Sequence, residues 1–353
     1  MTELLDRARG ALLGLAAGDA SGYPSGYHKA IPSPKRRGRL WSQAVEMDAQ
    51  HVTKFPVPFA HGVPLSAANF SATDDAEQVA LSAAILLSTI DQNNTAEPGL
   101  TELFSAWKDE VLPQADVYWG SVADRSAILN ALDGLSAPET GTDNPHFYDD
   151  SAVARAVPVG VVYAGQPEKA ARVARRLASI TNDEIGVDAA AVMAVAIAAA
   201  VAGEPLRDAV GRGIQEIASR TWLSRKLALA EAIYADAGSL LGAVPQWNDE
   251  VANLEYNFGN VAAETLPLAL IIAREATSLG EAIGTANLIP KQADTMPAMV
   301  GALVGAANGE GTIPGTWRDR IDTVRGFTVP STKGVSLRAL AAQLVGLAAA
   351  AEV

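Results

Sequence analysis

Ser71-Ala72-Thr73-Asp74-Asp75-Ala76-Glu77 opens an apolar segment that runs from residue 79 to 90. A polar loop becomes a hydrophobic helix here, and a hydroxyl and two adjacent carboxylates stand at the change. Ser, Thr and Asp are favoured N-caps because their oxygens accept from the free first-turn N–H groups. Carboxylates also suit the positive end of the helix dipole. Capping accounts for one such residue, but only one of two adjacent aspartates can be the cap. The pattern returns far downstream, where Gln292-Ala293-Asp294-Thr295 opens the apolar run 296–307. Hard divalent cations take several oxygen ligands, carboxylates with hydroxyls, carbonyls or water. Thr73, Asp74, Asp75, Asp294 and Thr295 form such a set if the two helix starts meet. A helix N-terminus repels a cation, so carboxylate charge has to outweigh the dipole at such a site.

Working outward, helical periodicity recurs along the chain. Leu4, Leu5, Ala8, Ala11, Leu12 and Leu15 predict a helix over 4–17, with Gly18 as the residue that ends it. Residues 23–66 show no helical period, carry six prolines and include the cationic run Lys35-Arg36-Arg37-Gly38-Arg39, so a long loop is expected there. Helices are expected over 73–91, 100–112, 121–135, 152–164, 167–180, 185–202, 207–219, 223–235, 262–276, 279–287, 295–308 and 336–352. Residues 139–150 read as a polar turn, and 245–254 as a polar stretch. Gly301 and Gly305, four apart, suit a close helix–helix contact. Arg9-Gly10-Ala11-Leu12-Leu13-Gly14 and Val300-Gly301-Ala302-Leu303-Val304-Gly305 look alike, without the fixed period of a repeat. No persistent alternation predicts strands. The expected fold is all-α, a single large helical bundle over 1–353.

Composition narrows the function. The chain has no cysteine, which excludes disulfides, thiolate catalysis and zinc-thiolate sites. That is compatible with a cytoplasmic protein. The net charge of −13 argues against nucleic acid or an anionic membrane as a partner held by charge. The first six residues are acidic and do not read as a secretory signal. The apolar run 189–202 is shorter than the roughly 20 residues of a membrane span and reads as a buried core helix. A P-loop and a dinucleotide fingerprint are both absent. The four histidines show no metal-ligand spacing.

Four ordered motifs resemble the ADP-ribosylglycohydrolase family. They are the opening Arg9-Gly10-Ala11-Leu12-Leu13-Gly14-Leu15-Ala16-Ala17-Gly18-Asp19-Ala20, then Thr73-Asp74-Asp75, then Glu264-Thr265-Leu266-Pro267-Leu268-Ala269-Leu270, and last Asp294-Thr295 followed by Gly301-Ala302-Leu303-Val304-Gly305. The resemblance implies an orthogonal helical bundle and a centre of one or two Mg2+ or Mn2+ ions. It implies Thr73, Asp74, Asp75, Asp294 and Thr295 as metal ligands, with Asp74, Asp75 and Asp294 also catalytic. Asp19, Asp150, Ser151 and Asn182 are candidates for the substrate side, and Trp119, beside Gly120, is the tryptophan to test for base stacking. The implied activity is hydrolysis at the anomeric carbon of ADP-ribose, on a small-molecule or ADP-ribosylated substrate, by a monomer.

Departures accompany the match. Gln292 stands where the family has Asp, and Gly26 where it often has Glu. Asp149-Asp150-Ser151 replaces a Gly-Asn-Gly turn, and Thr181-Asn182 replaces Thr-His. Three functions are therefore open: an ADP-ribosyl glycohydrolase, a related N-ribosyl hydrolase for another metabolite, and an inactive ligand-binding descendant.

Overall fold

The computed structural model describes residues 2–25, 70–93, 96–252 and 259–350. Most of the expected loop 23–66, with its basic run, Gly26, His28, His51, His61 and Trp41, lies outside the described residues. The chain is all-α. The helices are α1 (Thr2–Ser25), α2 (Asp74–Asn93), α3 (Leu100–Val111), α4 (Val122–Leu132), α5 (Glu139–Thr142), α6 (Ser151–Arg155), α7 (Val157–Val162), α8 (Pro167–Ala178) and α9 (Glu184–Ala202). They continue with α10 (Leu206–Gln215), α11 (Trp222–Ala237), α12 (Leu240–Gln246), α13 (Ala262–Glu275), α14 (Leu279–Asn287), α15 (Met296–Asn308), α16 (Gly315–Ile321) and α17 (Leu337–Ala350). Among the described residues the only β pairing is two isolated bridges, Asp149 with Val261 and Thr323 with Ser336. Buried apolar side chains from Ala8 to Leu347 form one main cluster, with Ala171, Ala191 and Val195 as a small separate one.

The first helix corrects the expectation built on Gly18. It does not stop there but runs through Asp19 to Ser25. Gly10, Gly14, Gly18 and Gly22 recur every fourth residue and line one face of α1. A Cβ on them would stand 2.1, 2.1, 1.9 and 2.2 Å from the carbonyl oxygens of Gly305, Gly301, Pro297 and Ala293. The contact is reciprocal, since a Cβ on Gly301 or Gly305 would meet the oxygen of Gly14 or Gly10 at 2.0 Å. So α1 and α15 run antiparallel with their backbones touching. These glycines are retained for close approach rather than as breakers. The two look-alike segments prove to be the two sides of this contact.

Helix α9 carries the centre of the core. Fourteen of its residues are buried, as expected of the apolar run, although the whole helix is 19 residues long. Asp183 caps its start, and Gly203 ends it in the left-handed region at φ 106°. The expected helix 152–164 is two short ones, α6 and α7, with Pro158 in the first turn of the second. The polar stretch that starts at Pro245 is helical as far as Val251: Pro245 lies inside α12, and a π-helical turn, Trp247–Val251, buries Trp247 completely. Trp247 donates its indole N–H to the Ala230 carbonyl at 3.1 Å, which satisfies the one polar atom of a buried indole.

Candidate functional site

The two acidic helix starts do come together, and α1 is the reason. Asp19, one residue past Gly18, reaches the start of α2. Its Oδ2 accepts from the backbone N–H of Thr73 at 2.7 Å and of Ala76 at 3.2 Å, and its Oδ1 accepts from the Thr73 hydroxyl. The cap of α2 is thus supplied by a residue 54 positions away, which leaves Asp74 and Asp75 free of the capping role. On the other side of the same helix, Gly18 packs at Pro297 and Gly22 at Ala293, the residues that flank Asp294 and Thr295. One glycine-lined face therefore sets the separation of both halves of the site.

Thr295 is the N-cap residue of α15 by position, yet its side chain makes no capping hydrogen bond. Asp74 and Asp294 are partly exposed, while Thr73, Asp75 and Thr295 are buried. Asn260 donates to Asp294 Oδ2 at 3.2 Å. The carbonyl of Asn260 accepts from the Asp150 N–H at 3.2 Å, and Ala262 N–H donates to the Tyr148 carbonyl at 3.1 Å. These bonds pin the Asp149–Asp150 turn beside the second acidic start.

Electrostatics report the same neighbourhood. Burial, and then the charge of Asp294, raise the Asp74 carboxyl well above its ordinary range. Asp75 is raised by burial, then by Asp74, Asp19, Asp294 and Asp150. Burial pushes Asp150 up to about 8, the Thr265 hydroxyl opposing and Asp149 and Asp294 adding to it. Burial raises Asp19 to about 7 against the pull of its own hydrogen bonds. Like charges withdrawn from water disfavour ionisation in this way. Among the described residues no three His, Cys, Asp or Glu side chains converge closely enough to form a finished ion cage. The chemistry of the donor set nonetheless fits a hard cation. Several carboxylates raise one another's proton affinity, and the buried Asp150 Oδ1 has no hydrogen-bond partner.

The remaining expected residues lie elsewhere. Asn182 is buried under this floor with its amide spent: its Nδ2 donates to Phe147 O, Asp149 O and Asp149 Oδ1 at 3.0–3.2 Å, and its Oδ1 accepts from Arg155 at 3.1 Å. Ser151 donates its hydroxyl to Asp149 Oδ1 at 2.7 Å. Trp119 projects from the surface beside Gly120, with 70% of it exposed. Gln292 does not face the carboxylates as a spare ligand. Its Oε1 accepts from Thr265 at 2.7 Å and its Nε2 donates to Glu264 at 2.8 Å. Lys291 is buried against Glu264 at 2.9 Å.

Sequence reasoning missed three supports. Arg155 forms a buried ion pair with Asp124 and donates to the Thr181 hydroxyl. Gln78 donates to Tyr118 at 2.7 Å and to Asp124 at 3.1 Å. Glu77 is buried and grips the backbone of 327–329. Glu77 had a visible signal, a third carboxylate in the first turn of an apolar helix. Arg155 and Gln78 had none, because their partners are remote in sequence.

The fold is an all-α bundle in which two acidic helix starts are brought together, and comparison places the chain in a family of glycohydrolases. Residues 1–352 match the ADP-ribosylglycohydrolase family. This chain belongs to that family. A solved structure titled "ADP-ribosylglycohydrolase-related protein complex" is 23% identical, with a TM-score of 0.59 over 99% of this chain and 100% of that one. That likeness speaks for the fold. A search of curated proteins finds no match.

Proposed function

We propose that the protein is a metal-assisted glycohydrolase that cleaves the bond at the anomeric carbon of an ADP-ribosyl or related ribosyl compound. The observation that carries this reading is the convergence of Asp74 and Asp75 with Asp294, at two helix starts set by one glycine face, with the buried Asp150 at the start of α6 beside them. Thr73, Asp74, Asp75, Asp294 and Thr295 would hold Mg2+ or Mn2+. When bound, the ion supplies Lewis acidity toward vicinal ribose hydroxyls and toward water. Departure of the leaving group builds oxocarbenium character, which the neighbouring carboxylates stabilise. The Asp75 carboxylate makes no side-chain hydrogen bond among the described residues, and its proton affinity is raised. It and Asp74 suit orienting the attacking water and taking its proton.

Calorimetric titration with Mg2+ tests the ligand set. Asp74→Asn and Asp294→Asn are expected to lose uptake, and variants that bind like wild type would overturn the assignment. Incubation with ADP-ribosylated arginine or serine peptides, with and without a chelator, tests the reaction; metal-dependent release of ADP-ribose is the expected product.

One observation favours a second reading, hydrolysis of a different ribosyl metabolite. Asn182 and Ser151 stand at the places of ligand-facing groups but donate to Asp149 Oδ1 instead. Release from a nucleoside panel, with the peptides left intact, would select this reading.

A further inference from the structure

Helix α4 is held to the body by one face and leaves the other bare. Ala123, Asp124, Ala127 and Ile128 are buried. Ser121 and Asp124 form a reciprocal capping box at the start. The Asp124 carboxylate also accepts from Gln78 at 3.1 Å and pairs with Arg155. The helix is thus fixed from behind and needs no ordering before it meets a partner. Its outer face carries Arg125, Leu129 and Leu132, spaced four and three apart as residues of one helical stripe are. Leu129 is 63% exposed and Leu132 58%. Trp119 widens the strip: its indole is 70% exposed, and the Arg125 guanidinium lies over the ring, 5.2 Å from the centroid. Two leucines and an indole held in water this way present roughly 400 Å² of apolar surface, the size of patch that marks an interaction site. The polar residues around it bring the face toward the roughly 800 Å² per partner of a standard interface.

The charges on this face say what covers it. Arg125 stands near the N-terminal end of α4, and the exposed Asp133 is its C-cap residue. Each sits at the end of the helix where the dipole opposes it. Neither forms an ion pair among the described residues. They lie four residues to either side of Leu129. A second α4 laid antiparallel against the first, with the two Leu129 side chains at the centre, therefore brings each Arg125 to Asp133 of the other copy. Each charge then also meets the end of the neighbouring helix whose dipole favours it. A two-fold contact requires this self-complementarity, in which residue i meets residue j and j meets i.

We propose that the chain forms a two-fold dimer through antiparallel packing of α4, with Leu129 and Leu132 at the centre and Arg125–Asp133 pairs at the rim. The dimer takes the place of the monomer that the family resemblance implies. It does not depend on the ribosyl reading of the acidic site.

Sedimentation velocity on the full chain, over micromolar to submillimolar concentrations, tests it. A reversible dimer is expected, with a dissociation constant on the order of 1–100 μM, the weak end for interfaces of this size. Leu129→Glu puts two carboxylates at the centre and should weaken the dimer at least about 30-fold, the scale of a central hot spot. Its melting temperature should equal wild type at dilutions where wild type is monomeric, because the side chain is exposed. Arg125→Glu and Asp133→Arg should each weaken the dimer several-fold by setting like charges opposite one another. The double variant should recover wild-type affinity, which only the antiparallel register allows. A species of one-chain mass at every concentration, a dimer that Leu129→Glu leaves intact, or a double variant no tighter than either single one would each overturn the proposal.

Discussion

At the residue scale the site depends on acidic groups whose partners are chosen from far along the chain. Asp19 caps a helix 54 residues away, Asp124 and Arg155 pair in the interior, and Asn182 bridges Arg155 to Asp149. The Arg155–Asp124 pair is the one to break. Its desolvation is offset only while both partners are present. Arg155→Met is expected to cost about 3–5 kcal/mol, because it leaves the Asp124 charge buried and strips Thr181 and Asn182 of a donor. Urea unfolding measures it. Adding Asp124→Leu to that variant should recover part of the loss, but not all, since Gln78 also donates to Asp124. A cost below about 1 kcal/mol would place the pair among the weak surface bridges. This network also marks the limit of what residue spacing conveys. The Thr73-Asp74-Asp75 and Asp294-Thr295 pairing was readable because each motif is contiguous and each opens an apolar helix. Asn182 was not, because nothing local distinguishes an amide facing a ligand from one facing Arg155 and Asp149.

At the scale of elements, the α1–α15 crossing both holds the core and gauges the site. Four glycines on α1 put carbonyl oxygens of α15 and its approach where a Cβ would be, and backbone on both sides gives no room to adjust. Gly10→Ala and Gly18→Ala should each destabilise by about 1–3 kcal/mol, the usual cost of overpacking. They should differ in a second readout. Gly18 faces Pro297, three residues beyond Asp294, whereas Gly10 faces Gly305 at the far end. A helix pushed aside at Gly18 shifts Asp294 relative to Asp19 and Thr73, so Mg2+ affinity in calorimetry should fall for Gly18→Ala and hold for Gly10→Ala. Gly284→Ala is the control. It lies on the exposed side of α14 with nothing within 4 Å of a Cβ, and helix propensity alone predicts a gain of up to about 1 kcal/mol. The all-α class and most helix positions were legible, because burial follows the 3.6-residue period. Gly18 misled because a helix-ending glycine and a helix-crossing glycine are the same letter. Only the spacing 10, 14, 18, 22 separates them, and it gains its meaning from Gly301 and Gly305 at the other end of the chain. The π-helical turn at Trp247 was hidden by Pro245 and by the polar residues 248–250, which face outward around one buried indole.

At the scale of the whole molecule, the raised carboxyls make stability and cation binding two sides of one pH dependence. An unfolded aspartate ionises near its ordinary pKa of about 3.9. Folded Asp19 and Asp150 hold their protons up to about 7 and about 8, and Asp74 and Asp75 are raised as well. Between these limits the folded state binds more protons than the unfolded one, so the stability of metal-free protein falls as pH rises. The fall begins near pH 4 and ends above about pH 8, once the folded groups also ionise. For a group fully coupled to folding, each tenfold gain in proton affinity corresponds to about 1.4 kcal/mol. Glu97, Glu275 and Glu281 are held below the ordinary carboxylate range by the side chains that donate to them. Their contribution is complete above about pH 5 and is lost on acidification below it, so it does not mask the trend. A divalent cation competes with the protons on the raised aspartates, and ligand binding stabilises only the state that binds. Chelated protein should therefore melt several degrees lower at pH 8 than at pH 5. The rise in Tm on adding excess Mg2+ should grow over that interval and be absent in Asp74→Asn. A chelated protein whose Tm climbs from pH 5 to pH 8 would mean that the carboxylates ionise freely in the fold. The acidic helix starts would then be solvated caps with no withdrawn charge to offer a metal.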